Sequence, residues 1–181
     1  MPMVWDERAI ERVKGVHHTT IIKWVKLVGE LLVDADNPTV IPQVCELDEL
    51  ETFVGLKKTC IWLPTAVEHF QEGILAWVLG DRSAETFRPL WASVKTWQSY
   101  FYVTDGWPVY PMFIPDGDRI VSKTYMTRVE GENTGLRHYL GRLHRQKLCY
   151  YKSVVMLEHS VILLLHYLKF KDVPVPQRFI L

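Results

Sequence analysis

Two short apolar runs that each carry an aspartate constrain the fold of this chain more than any other feature. The first run, 44–50, contains Asp48, and the second, 100–105, ends in Asp105 directly before a Gly-Trp-Pro breaker. A nearly continuous apolar run such as the second is typical of a strand covered on both faces. Because a carboxylate near a hydrophobic core is costly unless something compensates its charge, the sequence predicts a compensating partner for both acids.

The other apolar patterns predict a mixed α/β domain. Five runs have the pattern of strands, at 43–50, 58–67, 73–79, 100–104 and 119–122. Three patterns are helical, at 83–99, 130–146 and 152–169. Pro64, inside the second run, predicts an edge strand or a bulge, because proline donates no ladder hydrogen bond. Ser83 is a good N-cap for a helix whose apolar stripe is formed by Phe87, Leu90, Trp91 and Val94.

A third acid, Glu130, opens a helical pattern that also carries Asn133 and Arg137. Positions 130 and 137 fall nearly in line on a helix of about 3.6 residues per turn. Three converging carboxylates are the usual way to hold a pair of Mg²⁺ ions for phosphoryl transfer. The structural alternative stays open at this point, because the chain has 21 acidic residues and an aspartate at a strand end is often a turn former.

The motifs around these acids occur in a characteristic order. They are Leu47-Asp48-Glu49, Phe53-Val54-Gly55, Val78-Leu79-Gly80-Asp81-Arg82-Ser83, Thr104-Asp105-Gly106-Trp107-Pro108 and Arg128-Val129-Glu130, followed by Asn133, Leu136-Arg137, Leu140, Arg142-Leu143 and Lys152-Ser153. With these motifs the chain resembles the transposases of the insertion-sequence-one family over about 44–169. The Thr-Asp-Gly-Trp-Pro motif and the spaced Glu, Asn and Arg set are the most specific parts of the resemblance.

The resemblance implies an RNase H-like fold, a mixed sheet flanked by helices, with an Asp-Asp-Glu metal triad. Position by position, the triad falls on Asp48, Asp105 and Glu130, which would hold two Mg²⁺ ions, with Mn²⁺ as a substitute. The family's basic residue falls on Arg137, and Asn133 lies between it and the glutamate. We expect both to bind DNA, with Arg137 holding phosphate. One departure is Glu132, which stands where the family commonly has histidine. No basic residue follows Glu132 at a spacing of seven, so we expect Glu130 to be the ligand.

Residues 6–31 have the pattern of two helices joined by a turn at Gly15, as in a helix-turn-helix. We expect His18, Thr19 and Lys23 to contact DNA, and two packed helices with no DNA role are the alternative. The predicted division is a partial helix-turn-helix at 1–35, a linker at 36–42, a catalytic domain at 43–170 and a tail at 171–181. Because a third helix and the family's zinc ribbon often come from a preceding reading frame, the chain looks truncated at its front or like a downstream product.

Charge is distributed unevenly along a chain whose formal net charge is zero. Between positions 119 and 152 there are eight basic residues and only two acidic ones. A basic segment beside acidic metal ligands suits a polyanion, and we expect DNA contacts from Arg142, Arg145 and Lys147. A merely solvated helix face is the alternative. Trp107 and Tyr110, beside Asp105, are expected either to pack in the core or to stack on an unpaired base.

Several classes of protein are excluded. The first residues carry no targeting signal, and the longest apolar stretch, 154–168, is too short and too polar to span a bilayer. The three cysteines stand alone, which argues against a zinc ribbon or a disulfide framework. The resemblance implies a transposase that binds double-stranded DNA, both element ends and target, as a homo-oligomer. Because no targeting signal or membrane segment is visible, we expect it to be cytoplasmic and nucleoid-associated, without a membrane partner. A non-catalytic DNA-binding remnant that represses the element, and a host nuclease of the same fold, are the competing hypotheses.

Overall fold

The computed structural model describes residues 7–32, 41–56, 58–143 and 150–173. Its helices are α1 (Glu7–Lys14), α2 (His18–Leu31), α3 (Ala84–Thr96), α4 (Thr127–Tyr139) and α5 (Val154–Phe170). Its strands are β1 (Val44–Phe53), β2 (Cys60–Glu68), β3 (Ile74–Trp77), β4 (Phe101–Thr104) and β5 (Arg119–Val121). Short 3₁₀ turns cover Tyr110–Met112, Lys123–Tyr125 and Gly141–Leu143. In these ranges no helix is both long and apolar enough to cross a membrane.

The five strands form one mixed sheet in the order β3-β2-β1-β4-β5. Strand β4 lies parallel to both β1 and β5, whereas β3 runs antiparallel to β2. This topology, with β1 at the centre, confirms the predicted RNase H-like α/β fold. The predicted strands and helices are all present, with shifted ends. The helix expected at 130–146 begins earlier, at Thr127, and ends at Tyr139.

Helix α3 covers one side of the central strands. Its Ser83 N-cap is confirmed, since the Ser83 hydroxyl accepts the Thr86 N–H at 3.2 Å. The predicted apolar stripe of α3 is also confirmed and packs in one core cluster with Cys45 and Leu47 of β1 and with Tyr102 of β4. On α4, Met126, just ahead of the helix, and Val129 pack with Val67 and Val103 in a second cluster. The sheet therefore presents two apolar faces, as the nearly continuous apolar pattern of β4 predicted.

The prediction for Pro64 needs correction. Strand β2 lies between β3 and β1, so Pro64 is not on an edge strand. The register irregularity in this strand falls two residues later, between Ala66 and Val67. Pro64 lies between the ladder that starts at Thr65 and an isolated bridge from Trp62 to Gly80. Its missing N–H is tolerated because only its carbonyl takes part in a backbone hydrogen bond there.

Two compact units divide the chain. The described residues of 1–35, 53–59 and 136–181 form one unit, and those of 36–52 and 60–135 form the other. The sheet up to position 52, α3 and most of α4 belong to the second unit, which we call the sheet unit. The domain boundaries expected from the sequence stay a prediction, and most of the predicted linker and tail, 33–40 and 174–181, lies outside the described residues.

The first unit, which we call the helical unit, is built on α1, α2 and α5. Gly15 has φ +69°, so it makes the predicted turn between α1 and α2 in a conformation that glycine adopts without strain. Gly29 of α2 lies against α5. A methyl group at position 29 would be 2.7 Å from Cβ of the buried His159 and closer still to its ring. The absent side chain therefore permits the close approach of the two helices.

We expect Gly29→Ala to lower the free energy of unfolding by about 1–3 kcal/mol, because overpacking α2 against α5 outweighs the better helix propensity of alanine. The control is Gly131→Ala in α4, where a new methyl group meets no atom within 4 Å. That variant should gain about 0.5–1 kcal/mol. Urea unfolding of both variants measures the difference, and a Gly29→Ala protein as stable as the Gly131→Ala protein would contradict the close contact.

Candidate functional site

Asp48 and Asp105 directly follow the last paired residues of two adjacent parallel strands. Leu47 of β1 is in register with Thr104 of β4. Neighbouring strands lie about 4.8 Å apart, so the next residues along each strand are neighbours as well. Both acids are half-buried. The fold thus brings together two acids that are 57 positions apart in the chain.

Asp48 is oriented by a side chain of α4. The amide nitrogen of Asn133 donates to Oδ2 of Asp48 at 2.8 Å, and Asn133 is buried. The Thr65 hydroxyl on β2 lies 3.2 Å from Oδ1 of Asn133 and 3.3 Å from the Asp48 carbonyl. Three elements of the sheet unit therefore meet at Asp48.

Glu130 lies in the first turn of α4, one turn before Asn133. Residues three apart on a helix are neighbours on its surface, so Glu130 stands beside the amide that contacts Asp48. Its side chain is exposed, and within the described ranges it has no side-chain hydrogen bond or ion pair. Glu132 has a different role, because its Oε1 accepts the Gly73 N–H at 2.7 Å. This contact supports the choice of Glu130 over Glu132.

Asp105 is fixed by the turn that follows β4. Its Oδ1 accepts the Trp107 N–H at 2.8 Å. Trp107 and Tyr110 are both buried and pack edge-to-face on Phe87. These two aromatic residues are therefore core residues, and neither could stack on a base unless the core opened.

Two further acids of β1, which the sequence patterns did not single out, contribute to the site. The first is Glu46, which is fully buried. Its Oε2 accepts the Val129 N–H in the first turn of α4 at 2.8 Å, and its Oε1 accepts a hydrogen bond from Nδ1 of His69. Strand side chains alternate between faces, so the two-residue spacing to Asp48 could have indicated a shared face.

The second is Glu49, which accepts hydrogen bonds from the Tyr110 hydroxyl and, at 3.0 Å, from Nη2 of Arg82. The Arg82 guanidinium lies 4.6 Å from the ring centroid of Trp62. Burial raises the pKa of Glu49 to about 7, and the charge of Asp105 adds to the rise, against the lowering effect of Tyr110 and Arg82. Burial first, then Glu49, Asp48 and Asp105, also raise the pKa of Tyr110, so Tyr110 stays a donor.

The donor chemistry of the site fits a hard divalent cation. Oδ1 of Asp48 and Oδ2 of Asp105 have no hydrogen-bond partner among the described residues. Carboxylate oxygens are the ligands that Mg²⁺ and Mn²⁺ prefer. As the side chains stand, ligand atoms of the three acids are not all within 4.8 Å of one another, a condition that only Glu11, His17 and His18 meet in the described part of the chain. For all three acids to hold a common ion, their side chains would have to move closer together.

The basic residues predicted to bind DNA differ in their surroundings. Arg142 donates from Nη1 to Oε1 of Glu7 at 3.1 Å, and its guanidinium lies 5.4 Å from the ring centroid of Tyr151. A phosphate contact by Arg142 would therefore compete with Glu7. Arg137 is half-buried in the last turn of α4. Arg145 and Lys147 lie outside the described residues.

On α2, Thr19 and Lys23 are exposed, whereas His18 is half-buried and bonds Oε2 of Glu11 through Nδ1 at 3.0 Å. Two helices and a turn at Gly15 are present where the sequence predicted them, and their assignment as a helix-turn-helix stays a prediction. The roles of these three residues, of the buried Asn133 and of the arginines in DNA binding also stay predictions.

We expect the free energy of unfolding, measured by urea denaturation in a chelator, to fall as pH rises from 5 to 8. Glu49 has its pKa raised from 4.5 to about 7, so its contribution is complete below pH 4.5 and is lost as pH rises through 7. The loss is on the order of 3 kcal/mol, since one pKa unit corresponds to about 1.4 kcal/mol. Glu49→Gln should flatten this pH dependence, and Glu85→Gln, on the exposed face of α3, should not. Equal pH dependence in both variants would contradict the assignment.

Comparison with known proteins gives the family. A family model described as IS1 transposase matches residues 42–172, more than half of the chain. Insertion element IS1 protein InsB of Shigella flexneri is 33% identical over 129 residues, which cover 71% of this chain and 96% of that protein. Insertion element IS1 2 protein InsB of Escherichia coli (strain K12) is 34% identical over 129 residues, covering 71% of this chain and 75% of that protein. The matched range contains Asp48, Asp105 and Glu130, and the chain belongs to the IS1 transposase family.

Proposed function

We propose that this chain cleaves and joins DNA strands at insertion-sequence ends by two-metal phosphoryl transfer. The observation that carries the proposal is the juxtaposition of Asp48 and Asp105 on adjacent parallel strands, with Asn133 of the helix that bears Glu130 bonded to Asp48. Membership of a transposase family supplies the reaction class. The geometry supports the assignment of these three acids to one centre.

In this proposal Asp48, Asp105 and Glu130 hold two Mg²⁺ ions, for which Mn²⁺ can substitute. Bound there, the ions would activate a water or a 3′-hydroxyl and stabilise the leaving oxygen during in-line attack on phosphorus. Asn133 positions the Asp48 carboxylate, and the Trp107 N–H positions that of Asp105. The Tyr110 and Arg82 contacts compensate the carboxylate of Glu49, the residue that follows Asp48 on β1.

The substrate is double-stranded DNA, comprising the element ends and the target, and we propose that the chain acts on it in the nucleoid as a homo-oligomer. Arg137, seven residues after Glu130 in the chain, is a proposed phosphate contact, and Arg142, Arg145 and Lys147 are further ones. Thr19 and Lys23 on the exposed side of α2 are the proposed contacts of the helix-turn-helix segment, together with His18 where it is not held by Glu11.

We expect Asp105→Asn to lower Mg²⁺-dependent nicking of labelled element ends by at least roughly a thousandfold, since metal stabilisation of the transition state supplies several kcal/mol. Duplex affinity should be unchanged or higher, because one negative charge near phosphate is removed. The control is Asp116→Asn, an exposed aspartate paired with Arg119. Undiminished nicking by the Asp105→Asn protein would place the activity elsewhere, and DNA binding without nicking by the unmodified chain would favour the non-catalytic repressor.

We expect Arg137→Ala to flatten the dependence of log affinity on log salt by about 0.9, the value for one phosphate contact. The loss of affinity should be similar on element ends and on random duplex, because phosphate contacts carry no sequence information. Thr19→Ala should instead reduce discrimination between the two duplexes without changing the slope. Lys95→Ala, on the exposed side of α3, is the basic control and should change neither quantity. An unaltered slope in the Arg137→Ala protein would remove Arg137 from the DNA path.

A further inference from the structure

A second group of metal-ligating side chains lies where α1 meets α2, in the helical unit. Glu11 of α1 faces His17 and His18 at the start of α2. Oε2 of Glu11 is 3.0 Å from Nδ1 of His18, and Oε1 is 3.7 Å from Nε2 of His17. One ligand atom from each residue lies within 4.8 Å of the other two, and no other three His, Cys, Asp or Glu residues in the described ranges meet that condition.

The spacing of these atoms suits a small transition-metal ion. Zinc binds imidazole nitrogen and carboxylate oxygen at about 2.0–2.2 Å, so the ligand atoms of a tetrahedral site are roughly 3.4 Å apart. The two observed separations, 3.0 and 3.7 Å, join the histidines to different oxygens of Glu11. One ligand atom from each of the three residues lies within 4.8 Å of the other two, so the side chains would close in on an ion by small adjustments of their torsion angles. Two imidazoles and one carboxylate are ligands that Zn²⁺ favours and Mg²⁺ does not.

Contacts at the start of α2 orient the His17 ring. Its Nδ1 accepts the Thr19 N–H at 3.3 Å as the N-cap of α2 and lies 2.7 Å from the Thr19 hydroxyl, so Nε2 faces Glu11. A metal-binding histidine usually donates from its second ring nitrogen, so a metal bound at Nε2 would require Nδ1 to carry the proton and to donate to the Thr19 hydroxyl instead of accepting the Thr19 N–H. His17 is 61% exposed, so water can reach the position opposite the three protein ligands.

Little burial holds helix α1 in place. It has eight residues, none of them buried, and its Val13 is 59% exposed. A helix of this length is not stable alone in water. Glu7 of α1 pairs with Arg142, and Glu11 of α1 contacts His17 and His18. A metal ion bound at Glu11 would join α1 to α2 across the Gly15 turn.

We propose that Glu11, His17 and His18 bind one Zn²⁺-class ion, with water as a fourth ligand, and that this ion fastens α1 to α2. The site is structural and is independent of the acids proposed for phosphoryl transfer. In this proposal His18 is a metal ligand and not a DNA contact, so Thr19 and Lys23 are the residues of α2 that face DNA.

The test is Co²⁺ and Zn²⁺ binding by the full chain, stripped with a chelator and held in excess Mg²⁺ so that carboxylate-only sites are filled. Visible Co²⁺ absorption should saturate at one ion per chain and disappear on addition of Zn²⁺. Zn²⁺ at a hundredfold excess over its Kd should raise Tm by roughly 5–10 °C.

Two variants remove ligands with little effect on folding. His17→Asn keeps an oxygen that can cap α2 and removes the imidazole, and His18→Gln keeps a polar side chain beside Glu11. Both should lose the Co²⁺ absorption and the Zn²⁺-dependent rise in Tm. His138→Gln, an exposed histidine of α4, and Asp105→Asn should retain both signals. Absence of Co²⁺ absorption in the unmodified chain, or retention of it by the His17→Asn and His18→Gln proteins, would overturn the proposal.

Discussion

The first turn of α4 is held against the centre of the sheet by the buried carboxylate of Glu46. This side chain is fully buried, accepts the Val129 N–H and contacts His69. Helix N-termini favour negative charge, and removing one partner from a buried charge typically costs about 3–5 kcal/mol. Because the contact fixes where α4 begins, it also sets the position of Glu130 and Asn133 relative to β1. The catalytic arrangement that we propose depends on this contact together with the Asn133–Asp48 hydrogen bond.

Strand β1 carries acidic side chains on both of its faces, and different partners compensate the charge of each one. Glu46 and Asp48, two residues apart, are satisfied by a helix N-terminus and by a side-chain amide. Glu49 points to the other face, where its carboxylate accepts hydrogen bonds from the Tyr110 hydroxyl and from Arg82. The Arg82 guanidinium lies over the rings of two tryptophans. Only at Asp48, of these three, does one carboxylate oxygen lack a partner among the described residues. Glu46 and Glu49 therefore stabilise the fold, whereas Asp48 keeps one carboxylate oxygen available to a ligand.

The sequence predicted the parts of this fold that depend on local patterns. Apolar runs predicted β1 and β4, and the N-cap Ser83 followed by an apolar stripe predicted α3. These predictions succeeded because the periodicity of a strand or helix depends on residues that are close in sequence. The start of α4 was predicted three residues late, since the contact that fixes it joins Glu46 to Val129, 83 positions apart. The role of Glu49 was missed for the same reason, because its partner Tyr110 is 61 positions away. Asp48 and Asp105 were found through motifs, but their register follows only from strand pairing.

The hydrogen of one hydroxyl group determines which side of the Asn133 amide faces Asp48. The Thr65 hydroxyl has one hydrogen to donate, and two acceptors lie within reach, Oδ1 of Asn133 and the carbonyl of Asp48. When that hydrogen goes to Oδ1 of Asn133, the amide cannot flip, and its NH₂ group must face the carboxylate. An amide also carries no formal charge, so it orients Asp48 without neutralising it. The full negative charge is thereby kept for a cation, which a lysine or arginine in place of Asn133 would have displaced.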